Sequence, residues 1–113
     1  MKTRAKTVRI GKKTLWQADE ADSLAKKALG IMFRKKFRPM LFEFDAAATL
    51  KNSIHSMFCP EFDAVFLDAA KRVTEVRRVK PFSFLVPSKP AKYLLEVPAG
   101  AAKSVKAGTR LSW

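Results

Sequence analysis

Residues 87–100, with a proline near each end, constrain the fold of this chain more than any other segment. Pro90 fixes its own φ and disfavours helical geometry in the residue before it, so an extended segment begins there. The side chains that follow alternate between two faces, with Tyr93, Leu95 and Val97 on one and Lys92, Leu94 and Glu96 on the other. Pro98 lacks a backbone donor and Gly100 favours a turn, so the strand ends there. The segment predicts a β-strand with one aromatic and aliphatic face.

Shorter alternating runs, each bounded by turn residues, predict further strands along the chain. Residues 8–10 meet Gly11 and lead into residues 14–16, which predicts a hairpin near the N-terminus. Residues 40–44 predict a strand with one strongly apolar face, and residues 54–59 predict a short one.

Residues 62–67 and 72–79 form the clearest local unit, a second hairpin. Asp68 stands at the first turn position, which fits a four-residue connection between the two arms. In the second arm three valines recur every three positions, a spacing that fits neither strict alternation nor a helical stripe. The pattern therefore predicts a β-bulge in that arm.

The remaining segments predict a helix, a loop and a terminal strand. Asp22 or Ser23 can cap a helix of about two turns that Gly30 ends. Residues 80–88 are predicted to form a loop that folds back on the core, and residues 110–113 a last short strand.

Length and composition predict a single domain over residues 1–113. With 48% hydrophobic residues, a chain of this size buries roughly 65% of its unfolded surface, which suffices for one core. The predicted fold is mainly β: a compact, antiparallel, barrel-like sheet with one or two short helices. Residues 1–20 form a basic N-terminal hairpin region in this interpretation. An α+β fold is the alternative, in which residues 45–52 and 99–106 add helices.

Several of these segments together resemble the family called domain of unknown function 192 (DUF192). The similar stretches are residues 21–23, 28–34, 40–44, 54–55, 62–68 and 87–100. The pair at positions 54 and 55, Ile-His, is similar to the variant of archaeal members, in which it replaces Trp-Met. Leu24, Lys27 and Pro39 depart from the family pattern. The resemblance covers residues 21–113 and implies no catalytic residues, because the family has no established catalytic set.

The cysteine and histidine counts exclude several kinds of site. One cysteine cannot form an intramolecular disulfide, and one cysteine with one histidine cannot form a tetrahedral zinc site within one chain. The sequence contains no Walker loop and no dinucleotide fingerprint, so no cofactor is expected. Apolar runs are far shorter than the roughly 18 residues of a membrane-spanning helix, and a cytoplasmic location is predicted. The basic, acid-free N-terminus is also compatible with an organellar transit peptide.

The net charge of +13 predicts an anionic macromolecular partner, with RNA as the first candidate. Residues 34–38 place an aromatic ring within a run of cations, the combination that binds single strands by phosphate neutralisation and base stacking. The candidate nucleic-acid-binding residues are Arg34, Lys35, Lys36, Phe37, Arg38, Arg72, Arg77, Arg78 and Lys80. The alternative is that the basic surface only keeps the protein soluble.

A small-ligand or enzymatic site around the lone histidine is the second functional hypothesis. Its candidate residues, taken from the segments most similar to the family, are Arg34, His55, Asp63, Lys92 and Tyr93. A dyad of His55 with Cys59 is disfavoured, because four residues of a strand span about 13 Å. No catalytic residue is assigned, and a non-enzymatic function is favoured.

Overall fold

The computed structural model describes residues 4–21, 39–48, 54–55, 61–81, 84–85 and 87–113. Within these residues the chain forms eight strands and no helix. The strands are β1 (Arg4–Ile10), β2 (Lys13–Ala21), β3 (Met40–Ala48), β4 (Ile54–His55), β5 (Phe62–Leu67), β6 (Val73–Val79), β7 (Phe84–Leu85) and β8 (Ala91–Pro98). The mainly-β prediction is confirmed. No helix among the described residues is long and apolar enough to cross a membrane.

Six of the strands form one sheet in the order β1-β2-β3-β8-β5-β6, and β4 pairs with β7 separately. Neighbouring strands of the large sheet are antiparallel except β2 and β3, which are parallel. The sheet is not closed, because its edge strands β1 and β6 do not pair with each other; the sequence did not determine whether it closes. The residues at 108–112 hydrogen-bond to β1 on one side and to the β5–β6 hairpin on the other.

The sheet is apolar on both faces. One face carries a cluster that includes Phe42, Phe66 and Leu94. The opposite face carries Val65, Leu95 and further residues, covered by the chain after β8. Every side chain of β5 is buried, because β5 lies between β8 and β6 and is packed on both faces.

The predicted bulge is confirmed and lies in β6. Phe66 pairs with Glu75 and Leu67 with Val73, so Thr74 is the extra residue. The Thr74 hydroxyl donates a 3.1 Å hydrogen bond to the Phe66 carbonyl. The bulge explains the valine spacing, because it brings Val73 and Val76 onto the same face.

Several local predictions are corrected. The alternative helix at residues 99–106 is wrong, since these residues form turns. The first part of the alternative helix at residues 45–52 belongs to β3, and the rest lies outside the described residues, as does the helix predicted after Asp22. The predicted loop at residues 80–88 contains the two-residue strand β7. The predicted terminal strand is present as two isolated bridges.

Candidate functional site

Residues 108–112 cross the gap between the edge strand β1 and the β5–β6 hairpin, and backbone hydrogen bonds hold them there. Arg9 and Ser112 exchange two hydrogen bonds, with N to O distances of 2.9 and 3.0 Å. On the other side the Leu111 amide donates to the Lys71 carbonyl at 2.9 Å, and the Val73 amide donates to the Thr109 carbonyl at 2.7 Å. These bonds fix the crossing segment between β1 and the β5–β6 hairpin.

This crossing places three arginines on the outer side of the molecule. Leu111 is buried, so its neighbours Arg110 and Ser112 point away from the core. Arg110 pairs with Arg72, and Ser112 pairs with Arg9, so each pair lies on the same side. Arg9, Arg72 and Arg110 are all exposed. We call these three residues the arginine row.

No guanidinium group of the arginine row forms an ion pair in the described part of the chain. Arg72 lies opposite Arg110, and like charges in that position destabilise a strand pair by up to about 1 kcal/mol. Among the described residues no carboxylate comes within ion-pair distance of any of the three. Three exposed lysines lie within four residues of the row in sequence: Lys12, Lys13 and Lys106. The row is therefore a concentrated positive surface on a backbone held by hydrogen bonds.

The other candidate nucleic-acid-binding residues are placed differently. Arg77 contacts Glu75 at 2.7 Å and donates to the Ser88 hydroxyl at 2.7 Å. Arg78 follows it on the opposite face of β6 and contacts Asp63 at 2.6 Å. Lys80 is exposed just after β6. Arg34, Lys35, Lys36, Phe37 and Arg38 lie outside the described residues. Of the described members of the predicted set, only Arg72 belongs to the arginine row.

Asp63, a predicted ligand residue, is a buried carboxylate that organises the turn after β8. Its Oδ2 atom accepts hydrogen bonds from the Gly100 and Ala102 amides at 2.9 and 3.3 Å. Its Oδ1 atom accepts from Arg78 at 2.6 Å, and this hydrogen bond raises the pKa of the Arg78 guanidinium. The three hydrogen-bond donors to Asp63 are all groups of the protein.

The described members of the predicted ligand set do not share one pocket. Asp63 pairs with Val97, and Tyr93 lies four positions away on β8, about 13 Å along the strand. Lys92 points to the other face of β8, where its Nζ donates to the Phe44 carbonyl at 2.5 Å. The His55 backbone pairs with Phe84, while its side chain and Arg34 lie outside the described residues. A site around His55 stays a prediction.

A pocket of about 220 Å³ opens on the sheet face that carries Tyr93. Its lining residues are Lys6, Glu20, Leu41, Glu43, Lys71, Tyr93 and Trp113. The lining contains the ammonium groups of Lys6 and Lys71 and the carboxylates of Glu20 and Glu43, so it carries both signs of charge, unlike the arginine row. Among the described residues, no group of three or more metal-ligating side chains comes together.

Glu96 on β8 is a buried acid that the sequence did not single out. It is 5% exposed, and in the described part of the chain its Oε2 atom accepts no hydrogen bond. Its neighbours across the sheet are Met40 and Ala64. Burial raises the pKa of the Glu96 carboxyl to about 8, so the group is mostly protonated at neutral pH.

The sequence also missed Arg9 and Arg110 of the arginine row. The available signal was weak: each lies in a terminal stretch rich in basic residues. Their proximity depends on the crossing of residues 108–112 between two edge strands, which periodicity cannot reveal.

Comparison with protein families identifies relatives along nearly the whole chain. The DUF192 family model, described as Uncharacterized ACR, matches residues 6–113. A UPF0127 protein of Pyrococcus furiosus is 37% identical over 114 residues, covering 98% of this chain and 93% of the relative. A UPF0127 protein of Pyrococcus horikoshii is 34% identical over 111 residues, covering 94% and 96%.

Two solved structures share the fold. A protein of unknown function from Novosphingobium aromaticivorans has a TM-score of 0.83 and 21% identity, with 98% of this chain and 85% of that chain covered. A Sinorhizobium meliloti protein described as a "putative transcription regulator" has a TM-score of 0.86 and 22% identity, with 99% and 95% covered. At these identities the likeness establishes the fold alone.

Proposed function

The chain belongs to the DUF192 family, and we propose that it is a non-enzymatic domain that binds the phosphate backbone of a nucleic acid, with RNA as the first candidate. The observation that carries the proposal is the arginine row, in which Arg72 faces Arg110 and neither guanidinium group forms an ion pair with a described carboxylate. Such an arrangement costs free energy in the isolated protein, and an anionic partner offsets that cost.

The geometry favours phosphate groups over other anionic partners. Guanidinium groups bind phosphate oxygens through paired hydrogen bonds, and arginines on neighbouring backbone segments can contact successive phosphates. The net charge of +13 adds a long-range field that speeds association with a polyanion. No described aromatic ring lies in the arginine row, so the described surface supports backbone binding without base recognition.

Arg77 and Arg78 contribute less in this proposal than the sequence suggested. Each is bonded to a carboxylate of the protein, at 2.7 Å for Arg77 and 2.6 Å for Arg78. A phosphate would have to compete with those carboxylates, whereas the arginine row offers guanidinium groups without that competition. A cytoplasmic location, where RNA is abundant, is part of the same proposal.

The Sinorhizobium meliloti relative of the fold is described in words that concern transcription. Nucleic-acid binding by this chain would be compatible with that description. The proposal nevertheless depends on the arginine row, because a shared fold does not specify a function.

The experiment is a direct binding assay by fluorescence anisotropy at about 50 mM salt, where phosphate contacts are strong. The probes are single-stranded RNA, double-stranded RNA and single-stranded DNA of equal length. We expect binding to at least one RNA probe. Comparing the probes distinguishes RNA from phosphate backbones in general, and no measurable binding to any probe would refute the proposal.

The double variant Arg72→Gln, Arg110→Gln tests whether the arginine row is the binding surface. Its matched control is Lys89→Gln, Lys103→Gln, which removes the same charge from two exposed lysines outside the row. We expect the arginine variant to bind at least tenfold more weakly than the lysine variant. Equal losses would show that only net charge matters and would contradict a defined binding surface.

A further inference from the structure

The crossing segment, residues 108–112, has an apolar side and a charged side. Leu111 is buried in the apolar cluster of the sheet, and Trp113, which follows the segment, packs against the same cluster. Arg110 and Ser112 alternate with these two residues, are exposed and point outward, on the side of the arginine row. The position of Arg110 therefore depends on how firmly the inward side chains are held.

Docking of the crossing segment is favoured by backbone hydrogen bonds and opposed by charge. The docked segment places Arg110 directly opposite Arg72, and Ser112 directly opposite Arg9. Like charges in cross-strand positions repel each other, so the repulsion offsets part of the stability that the hydrogen bonds supply. An anion bound to the arginine row would remove this repulsion and would therefore favour docking.

Trp113 makes the side-chain contacts that hold this part of the chain against the sheet. Its ring centre lies 5.0 Å from that of Tyr93, and the two planes meet at 84°, an edge-to-face contact. The Lys71 Nζ atom lies 4.3 Å from the Trp113 ring centre and donates to the main-chain oxygen of Trp113 at 3.3 Å. The Lys71 carbonyl also accepts from the Leu111 amide at 2.9 Å. Trp113 thus connects the crossing segment to β8 and to the turn between β5 and β6.

We infer that Trp113 is a positioning residue for the arginine row, and that docking of the crossing segment and binding of a phosphate backbone stabilise each other. The inference rests on the proposed function and adds how the binding surface is assembled. The docked segment holds Arg110 near Arg72 and Arg9, where neighbouring guanidinium groups can contact successive phosphates. The coupling is reciprocal: weaker docking weakens binding, and a bound nucleic acid strengthens docking.

Trp113→Ala tests the positioning role because it removes no charge. We expect its Kd for single-stranded RNA at about 50 mM salt to rise about fivefold or more, since only molecules with a docked segment bind tightly. The salt dependence of its binding should match wild type, because the bound state makes the same phosphate contacts. Arg72→Gln, Arg110→Gln should instead reduce the salt dependence, which separates a positioning residue from residues that contact phosphate.

Two further variants control for a general loss of stability. Trp113→Phe keeps an aromatic ring and should bind RNA within about twofold of wild type. Val76→Ala truncates another half-buried side chain of the same apolar cluster and should also bind within about twofold of wild type. A wild type that binds RNA no better than Trp113→Ala would overturn the inference, as would a reduced salt dependence in Trp113→Ala. A wild type that binds no probe refutes the proposed function itself, which is a different result.

Hydrogen exchange of the wild type tests the coupling without any substitution. The Leu111 and Ser112 amides donate to the carbonyls of Lys71 and Arg9 at 2.9 and 3.0 Å, so they exchange when the segment undocks. Single-stranded RNA at about 100 times its Kd should slow the exchange of both amides by about tenfold or more. If RNA binds but leaves the exchange of these amides unchanged, docking and binding are independent and the inference is wrong.

Discussion

Two buried carboxylates on neighbouring strands have opposite surroundings. Asp63 on β5 accepts two backbone hydrogen bonds and contacts Arg78, so both of its carboxylate oxygens have donors. Glu96 on β8 lies between Met40 and Ala64 and has an oxygen without a described donor. The residue type alone does not distinguish them, because the difference comes from what the neighbouring strands and turns bring to each carboxyl group.

Glu96 should make the stability of the protein depend on pH. Burial raises the pKa of its carboxyl from 4.5 to about 8 in the folded protein. As pH rises from about 5 to about 8, the unfolded chain releases this proton while the folded protein keeps it, so stability falls. Glu96→Gln removes this titration. We therefore expect wild type to lose on the order of 3 kcal/mol more than the variant across this range in urea unfolding. If wild type and Glu96→Gln lost the same free energy of unfolding across this pH range, the raised pKa of the buried Glu96 carboxyl would be contradicted.

Asp63 should be more important to folding than to ligand binding. Asp63→Ala leaves the Gly100 and Ala102 amides and the Arg78 guanidinium without their acceptor. We expect a loss of about 2 to 4 kcal/mol in the free energy of unfolding. Glu61→Ala is the control, because its contact with Arg78 is 3.9 Å long and exposed, and it should cost less than about 0.5 kcal/mol. An Asp63→Ala protein with the free energy of unfolding of wild type would contradict a structural role for Asp63.

At the scale of elements, alternation and turn residues predicted the N-terminal hairpin, the β5–β6 hairpin with its bulge, and strands β3 and β8. These features are local, so the sequence records them in side-chain periodicity. The parallel pairing of β2 with β3 and the crossing of residues 108–112 depend on contacts between distant segments. No local pattern encodes such contacts, and the arginine row depends on one of them. The sequence therefore placed Arg72 among the candidate binding residues, which stays a prediction, but did not group it with Arg9 and Arg110.

The β5–β6 hairpin allows a direct test of the fold. Phe66 on β5 is fully buried, and Phe66→Ala should cost about 3 to 5 kcal/mol. The Asp68 carboxylate accepts hydrogen bonds from the Ala70 and Arg72 amides in the exposed turn. Asp68→Ala should cost about 1 kcal/mol. Thermal and chemical unfolding measure both changes, and equal effects of the two substitutions would show that the hairpin is misplaced.

At the scale of the whole molecule, the cations of the described residues differ in whether the protein itself supplies their partners. The cations of β6 and β8 contact carboxylates or carbonyls of the protein, as Arg77, Arg78 and Lys92 show. The arginine row lacks such partners among the described residues. Net charge predicted a polyanion partner without indicating where it would bind, because a total charge contains no information on ion pairing. In the proposed function, the arginine row is the surface that binds phosphate.

The salt dependence of RNA binding tests this claim most directly. Each phosphate that the protein neutralises releases condensed counterions, so the logarithm of affinity falls linearly with the logarithm of salt concentration. For about six phosphate contacts the wild-type slope should be about −4 to −5 on single-stranded RNA. Arg72→Gln, Arg110→Gln should reduce the magnitude of that slope by about 1.5, while Lys89→Gln, Lys103→Gln should leave it unchanged. A slope unaffected by the arginine substitutions would contradict the account.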